Sequence, residues 1–258
     1  MRVGADYFAR RKALSLEKPG PRGLVEAMAD LANPGVDVTR VHPAIVVFFD
    51  DTASLELLIR SHWRFPFSLA WRIFRPLMRW IGQFVLPLDE GRIVTRVFGL
   101  TDSASGARAV IREYVDDGGV MQVVSYASCE GNAGRLMSVT FPLPGGHIAG
   151  FLRLDRIGED REGQIAVELS SSGRGGDGAG IWFVLGGVRL PTPLGERMAL
   201  WAPGMECAPP ELDSAVFPGT TLVGRHVQRC FGVRMVTHDY WFRPLAQTSS
   251  PHEVITVG

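Results

Sequence analysis

The stretch RLMSVTFPLPGGHIAGFLRL, from Arg135 to Leu154, shows the pattern that decides the fold. Large apolar residues alternate with small or polar ones on both sides of the central PLPGG, which carries the prolines and glycines typical of a turn. Successive side chains of a β-strand point to opposite faces, so this alternation indicates strands with one buried face. The stretch therefore predicts a β-hairpin.

The same two-residue period continues from Gly91 to Phe242. The breaks between most of the runs are rich in turn residues and too short for the crossover helices that a parallel sheet needs. About eight to ten strands would leave long exposed edges in an open sheet, and closure into a barrel or pairing into two stacked sheets removes them. We favour an all-β fold, an antiparallel, lipocalin-like β-barrel with an N-terminal helical cap. The expected strands are Ser54–Trp63, Arg92–Leu100, Arg108–Val115, Val120–Ser128, Arg135–Phe141, His147–Leu154, Gln164–Ser171, Ile181–Leu185, Thr220–Cys230 and Val233–Phe242.

The residues before the barrel are expected to be mainly helical. Gly23–Asn33 places apolar residues at helical spacing and ends at a Pro-Gly pair. Ala44–Asp50 follows Pro43, a residue suited to the first turn of a helix. Both segments predict short helices.

The apolar stretch Phe65–Leu86 is long enough to be mistaken for a membrane span. Arg72, Arg75 and Arg79 recur at helical spacing within it, and charges at the centre of a bilayer are costly. We therefore expect an amphipathic helix, kinked or split at Pro76, that covers a hydrophobic core. Binding to a membrane surface through its basic face is the alternative.

The proline-rich segment Arg189–Pro210 interrupts the strand pattern. It is expected to be a crossing loop with a turn of helix at Gly195–Trp201. With no internal repeat or linker, residues 1–258 read as a single domain. Residues 1–86 form the cap with the first strand, residues 87–245 the barrel and residues 246–258 a tail.

Composition excludes several classes of protein. Basic and acidic residues number 27 each, so no overall positive charge exists to hold a nucleic acid. Cys129, Cys207 and Cys230 are an odd number with no CxxC pair, which is typical of a reducing compartment. Since residues 1–20 also lack the pattern of a secretory signal, we expect a cytoplasmic protein.

No cofactor or metal motif is supported by its context. Gly173–Gly178 matches GxGxxG, but the following Ile181–Leu185 reads as a strand where a dinucleotide site needs a helix. The six histidines show no close metal-ligand spacing, and the P-loop, HExxH and GxSxG motifs are absent from the sequence. The prediction is a protein without cofactor or metal.

A barrel of this size often has an interior wide enough for a small apolar ligand, bordered by a few polar groups. Tyr126, Glu168 and His226 lie on expected strands, and each could act as an acid or base if it faced an apolar lumen. Surface exposure of Glu168 and structural hydrogen bonding of Tyr126 and His226 are the alternatives. The large, soft side chains expected to line the ligand, with core packing as the alternative for each, are Phe67, Trp71, Met137, Trp182, Met198, Trp201 and Trp241.

Three segments resemble a group of actinobacterial β-barrel proteins of uncharacterised function: the HP…FF…T opening with LP at 42–87, the FPLPGG hairpin within Met137–Leu154, and LP…E within Leu190–Met198. The plan also looks like that of lipocalin-type calycins, although the chain has no G-x-W opening. By architecture it is similar to the cofactor-independent β-barrel cyclases of polyketide pathways. That similarity implies a cyclase or isomerase acting on a hydrophobic, polyketide-like molecule. A non-catalytic carrier of a lipid-like ligand is the alternative, and whether the protein is an enzyme stays open here.

Overall fold

The computed structural model describes residues 2–15, 20–101, 106–172 and 176–246, most of which belong to antiparallel strands. The helices are α1 (Tyr7–Arg10), α2 (Pro43–Asp50) and α3 (Phe67–Ile81). The strands are β1 (Leu55–Trp63), β2 (Glu90–Gly99), β3 (Arg108–Tyr114), β4 (Val120–Gly131), β5 (Gly134–Leu143), β6 (Gly146–Glu159), β7 (Ile165–Ser170), β8 (Gly180–Leu185), β9 (Val188–Pro191), β10 (Leu194–Trp201), β11 (Leu222–Cys230) and β12 (Val233–Pro244). Three parts of the expected turns and tail lie outside the described residues, namely 102–105, 173–175 and 247–258.

Antiparallel pairing closes a ring of ten strands, which run in the order β1 to β7, then β10, β11 and β12. The ring closes between β1 and β12, where Leu55 is opposite Pro244 and Trp63 is opposite Val236. Strand β6 pairs with β7 through its second half and with β8 through its first half. The β8–β9 hairpin therefore extends the sheet outside the ring. The predicted all-β, antiparallel barrel is confirmed.

Alternation along each strand separates an inner from an outer face. Leu57 on β1 is opposite Ile93 on β2, and both belong to the main buried cluster on the inner face of the barrel. Leu58 and Trp241 have the opposite parity and belong to a second cluster on the outer wall, with Phe217 from the loop before β11. Each strand thus contributes one face to the lumen.

One end of the lumen is closed by the segment that precedes β1. Ile45, Phe48 and Phe49 of α2 are fully buried there together with Leu24 and Met28. Helix α2 starts where the sequence predicts, because Pro43 occupies its first turn and His42 Nδ1 accepts the Ala44 N–H at 3.1 Å. We call these five buried residues of 24–49 the plugged end.

The helix predicted over Gly23–Asn33 is wrong except for a single 3-10 turn, Met28–Leu31. Gly23 lies so close to α2 that a β-carbon at this position would be 2.4 Å from the Phe49 carbonyl oxygen. The Leu24 N–H donates to the same oxygen at 2.7 Å, and the Met28 N–H donates to Asp50 Oδ1 at 2.6 Å. These tertiary hydrogen bonds replace the helical ones, so packing against α2 overrides the local pattern.

Helix α3 connects β1 and β2 and is continuous through Pro76 until Gly82, whose positive φ of 74° ends it. The expected split at Pro76 does not occur. The inner face of α3 contacts the barrel through Trp71, which stacks on Trp63 of β1 at 5.0 Å between ring centroids. Large apolar side chains exposed on its outer face are Leu69, Ile73, Phe74, Leu77 and Trp80. The membrane-surface alternative for this helix stays a prediction.

The loop and helical turn predicted between Arg189 and Pro210 are wrong at Leu194–Trp201, which forms strand β10. This strand fills the gap between β7 and β11 and pairs with both. The prolines that suggested a loop, Pro191 and Pro193, lie at the end of β9 and just before β10. Pairing on both edges therefore determines the conformation of this segment, and no local pattern could show it.

Candidate functional site

Polar side chains gather on the inner face of the barrel beyond the plugged end. The register places Ser61 opposite His238, His238 opposite His226, and Tyr126 opposite Arg108. They share the parity of buried lumen residues on the same strands. We call the following seven residues the lumen polar cluster: Ser61, Arg112, Tyr126, Glu196, His226, His238 and Tyr240.

Three of these residues form a hydrogen-bonded chain across β10, β11 and β12. His226 Nε2 lies 2.9 Å from Glu196 Oε2, and His226 Nδ1 lies 3.1 Å from the Tyr240 hydroxyl. Because the carboxylate can only accept, Nε2 carries the ring proton, and in the neutral ring Nδ1 accepts from Tyr240. The His226 and Glu196 side chains remain 14% and 15% exposed, so molecules in the lumen can reach this chain.

His238 is fully buried next to that chain. Its Nδ1 lies 2.8 Å from Ser61 Oγ, while its Nε2 is buried without a hydrogen-bond partner among the described residues. Burial, aided by the nearby His226 and His62, lowers the pKa of His238 well below its usual value. The ring is therefore neutral at pH 7. Trp63 packs edge-on against it at 6.1 Å.

The two tyrosines of the cluster keep their protons at neutral pH. Burial raises the pKa of Tyr126, and the Arg112 guanidinium opposes that shift while Glu196 adds to it. Burial likewise raises the pKa of Tyr240, with Arg112 again opposing. Both hydroxyls can therefore donate hydrogen bonds, and both lie within the electrostatic range of the same guanidinium.

Two arginines of β3 face the lumen and have no acidic partner among the residues that the structure describes. Arg108 and Arg112 share the face of fully buried Val110, and the Nε of each is buried with no hydrogen-bond partner in the described part of the chain. Outward arginines are paired instead: Arg96 on the neighbouring strand binds Glu113 at 2.7 Å. A buried polar group without a partner costs free energy, so such atoms mark a place where stability alone does not explain the sequence.

Four of the residues singled out from the sequence point into the lumen. Tyr126 and His226 belong to the polar cluster, and Met137 and Met198 lie in or against the lumen core. Tyr126 and His226 therefore meet the geometric condition for acid–base or ligand-orienting roles. Those roles themselves stay predictions.

Four others lie outside the lumen, which corrects their expected position. Glu168 has the parity opposite to buried Val167 and Leu169 and pairs with Arg197 at 2.7 Å on the outer wall. Trp201 and Trp241 belong to the outer-wall cluster, and Trp241 donates to the Asp213 carbonyl at 2.9 Å. Trp182 lies on the β8–β9 hairpin, where it packs against Phe151 at 5.4 Å. Strand parity, which the sequence gives only relative to an unknown inside, decides the positions of Glu168, Trp201 and Trp241. Trp182 lies outside because β8 extends the sheet beyond the ring.

The last two candidates, Phe67 and Trp71, belong to α3 and are half-buried. Trp71 Nε1 donates to the Leu86 carbonyl at 3.3 Å, so this ring is fixed above Trp63 at the mouth opposite the plugged end. Trp71 can contact a ligand only at that mouth.

Sequence reasoning missed Glu196, Tyr240 and Arg112 as site residues. Glu196 was lost because β10 was read as a loop. Tyr240 follows His238 by two residues and shares its face, a signal that was present in the strand pattern. Arg112 follows Val110 by two residues and shares its face in the same way, but the side chain of an arginine on a strand normally points outward.

A surface groove of about 830 Å³ lies elsewhere, between residues 2–10, the end of α3 and the β3–β4 turn. The polar groups that line it already bind each other. Arg79 contacts Asp117 at 3.2 Å, and the Tyr114 hydroxyl donates to the Val85 carbonyl at 2.5 Å. Burial raises the pKa of Tyr114 to about 12. The lumen, whose polar atoms are incompletely paired, is the stronger candidate site.

Within the ranges that the structure describes, no group of three His, Cys, Asp or Glu side chains is arranged to hold a metal ion. No described helix is long and apolar enough to cross a membrane. The chain matches no protein-family model, no curated protein and no solved structure. The proposals below therefore depend on the geometry of the lumen.

Proposed function

We propose that the protein is a cofactor-independent isomerase or cyclase that acts on a hydrophobic, polyketide-like carbonyl compound held in the barrel lumen. The observation that carries this proposal is the chain Tyr240–His226–Glu196 on the inner face of the barrel, beside the main apolar cluster. An acid–base chain of this kind can accept a proton from a bound molecule and return it elsewhere, which is the step that isomerisation requires.

The proposed step begins when a carbon next to the substrate carbonyl gives its proton to the Tyr240 oxygen. Tyr240 passes its own proton to His226 Nδ1, and Glu196 stabilises the imidazolium that forms. Tyr126 donates a hydrogen bond to the enolate oxygen, since its raised pKa keeps the phenol protonated. The proton then returns through Tyr240 to a different carbon, so the product has the same composition as the substrate.

Confinement supplies the rest of the rate in this scheme. A flexible chain folded within the apolar lumen holds its reacting atoms together, and such orientation is worth up to about 7–11 kcal/mol in favourable cases. Met198 lies directly opposite His226 in the β10–β11 register and provides apolar contact beside the chain.

The test incubates the pure protein with an organic extract of its native cells and follows the small molecules by liquid chromatography and mass spectrometry. We expect a compound that is consumed while another of equal mass appears at a new retention time. Tyr240→Phe should lower this conversion by about 10²-fold or more, because the proton path is cut. Glu168→Gln, on the outer wall, is the matched control and should convert normally.

A compound that is captured and released unchanged would instead identify a carrier and overturn the proposed catalysis. Conversion that is unaffected by Tyr240→Phe would overturn the assigned chain.

A further inference from the structure

Arg112 is a guanidinium that points into the lumen without a counter-charge. Its neighbours in the register are Thr95 and Gln122, neither of which is ionisable. Its Nε is buried and unpartnered among the described residues. The acid whose charge acts on the same tyrosines, Glu196, is bound to His226.

We propose that Arg112 binds a carboxylate of the lumen ligand, so the substrate class is a hydrophobic carboxylic acid that also carries a carbonyl group. This inference rests on the proposed function only in placing the ligand in the lumen. Arginine remains charged in proteins, and its planar fork matches a carboxylate in two parallel hydrogen bonds. One guanidinium balances one negative charge, which favours a carboxylate over a phosphate dianion.

The positions of the cluster fit a ligand bound at two points. Arg112 lies on β3, and Tyr240 lies on β12, three strands further around the ring, with β2 and β1 between them. Both Tyr126 and Tyr240 are within the electrostatic range of Arg112. A carboxylate held at Arg112 would thus fix one end of the molecule while its carbonyl carbon skeleton lies beside the proton chain.

Other charged groups do not offer the same arrangement. Arg225 on β11 is paired with Asp239 at 2.7 Å on the outer face, and Arg96 is paired with Glu113. Arg108 also faces inward, but it is four residues from Arg112 on the same strand, which corresponds to about 13 Å along the barrel wall. Arg108 therefore provides an internal comparison for the position of the anion.

The experiment compares two fluorescent probes that differ only in charge, 11-(dansylamino)undecanoic acid and its methyl ester, by equilibrium titration. We expect the wild-type protein to bind the acid roughly 10- to 100-fold more tightly than the ester, as for hydrogen bonds to a charged group. Arg112→Met should bind the two probes equally while its affinity for the ester stays unchanged. Arg96→Met, the matched outward control, should keep the preference for the acid.

Thermal unfolding of the same variants separates binding from a structural role. We expect the midpoint of ligand-free Arg112→Met to be equal to or higher than that of the wild type, because the substitution removes a polar Nε that is buried without a partner among the described residues. If Arg112→Met does not fold, Arg112→Gln provides the same pair of titrations.

Equal binding of acid and ester by the wild-type protein would overturn the inference, as would loss of the preference in Arg108→Met but not in Arg112→Met. A lowered midpoint in Arg112→Met would assign the arginine to the structure instead. Failure of the proposed catalysis is separate, because it is read from conversion by Tyr240→Phe and not from probe binding.

Discussion

The two halves of the barrel lumen differ in the polarity of their side chains, and strand β12 runs through both. At the plugged end, Phe242 packs against Phe48 at 5.2 Å between ring centroids, within the main buried apolar cluster. Two and four residues earlier on the same face, Tyr240 and His238 bring polar atoms into the interior. Within about 13 Å along this strand, the inward side chains therefore change from apolar to polar, hydrogen-bonding ones.

The two halves differ in how their buried groups are satisfied. At the plugged end, apolar side chains pack against one another and need no hydrogen-bond partner. The lumen polar cluster leaves His238 Nε2 and Arg112 Nε unpartnered among the residues described, a cost that packing at the other end can offset. Among the described residues, the buried polar side-chain atoms without a partner belong to inward residues of β3 and β12, which favours the lumen as the candidate site.

The largest expected effect is a loss of stability caused by a substitution at the plugged end. Phe49→Ala removes a fully buried ring from α2, and we expect it to lower the free energy of unfolding by about 3–5 kcal/mol in urea denaturation. Phe74→Ala on the outer face of α3, where the ring is 54% exposed, is the matched control. It should change the free energy of unfolding by less than about 0.5 kcal/mol. Similar losses in both variants would show that the plugged end is not the source of stability.

The next largest effect tests the lumen polar cluster through the pH dependence of the free energy of unfolding. His238 is neutral in the folded protein but gains a proton near pH 6.5 once unfolded, so the unfolded state binds more protons below that pH. Stability is therefore fully present above about pH 6.5 and falls as pH decreases towards the lowered pKa of the folded state, by up to about 1.4 kcal/mol per pH unit.

Replacement of the histidine should remove this dependence. We expect His238→Gln to have a flatter profile of unfolding free energy than the wild type between pH 5 and 7. His147→Gln on β6 provides the control, because His147 is not among the groups that act on the pKa of His238. An unchanged slope in His238→Gln would mean that His238 is protonated in the folded state and that the polar half is more hydrated than its burial suggests.

The sequence was informative about the barrel because alternation is a local property. The runs around Arg135–Leu154 and Val120–Ser128 predicted strands that the structure contains, and exposed edges argued for closure. Strand β10 could not be predicted, since Gly195 and the prolines before it weaken every local signal and only pairing with β7 and β11 makes it a strand. Similarly, packing against α2 determines the conformation of Gly23–Asn33.

Only part of the candidate site could be predicted from the sequence. Parity correctly grouped His238 with Tyr240 and opposed both to Trp241, but it does not say which group faces inward. Strand parity alone therefore could not show whether Tyr126 or Glu168 faces the lumen. Closure of the ring separates them, because it gives every strand an inside at once.

The smallest expected effect comes from Glu168, which pairs with Arg197 on the outer wall, and it sharpens the comparison with Glu196 inside the lumen. Glu168→Gln weakens an ion pair whose arginine is 53% exposed, so we expect a change of at most about 1 kcal/mol in unfolding free energy and none in conversion or probe binding. Glu196→Gln makes the same chemical change where the carboxylate binds His226 Nε2. We expect it to lower conversion by roughly 10²-fold while the protein stays folded, measured by the chromatographic assay beside urea denaturation. If Glu168→Gln lowers conversion as much as Glu196→Gln does, the outer wall takes part in the chemistry and the division between the lumen and the outside fails.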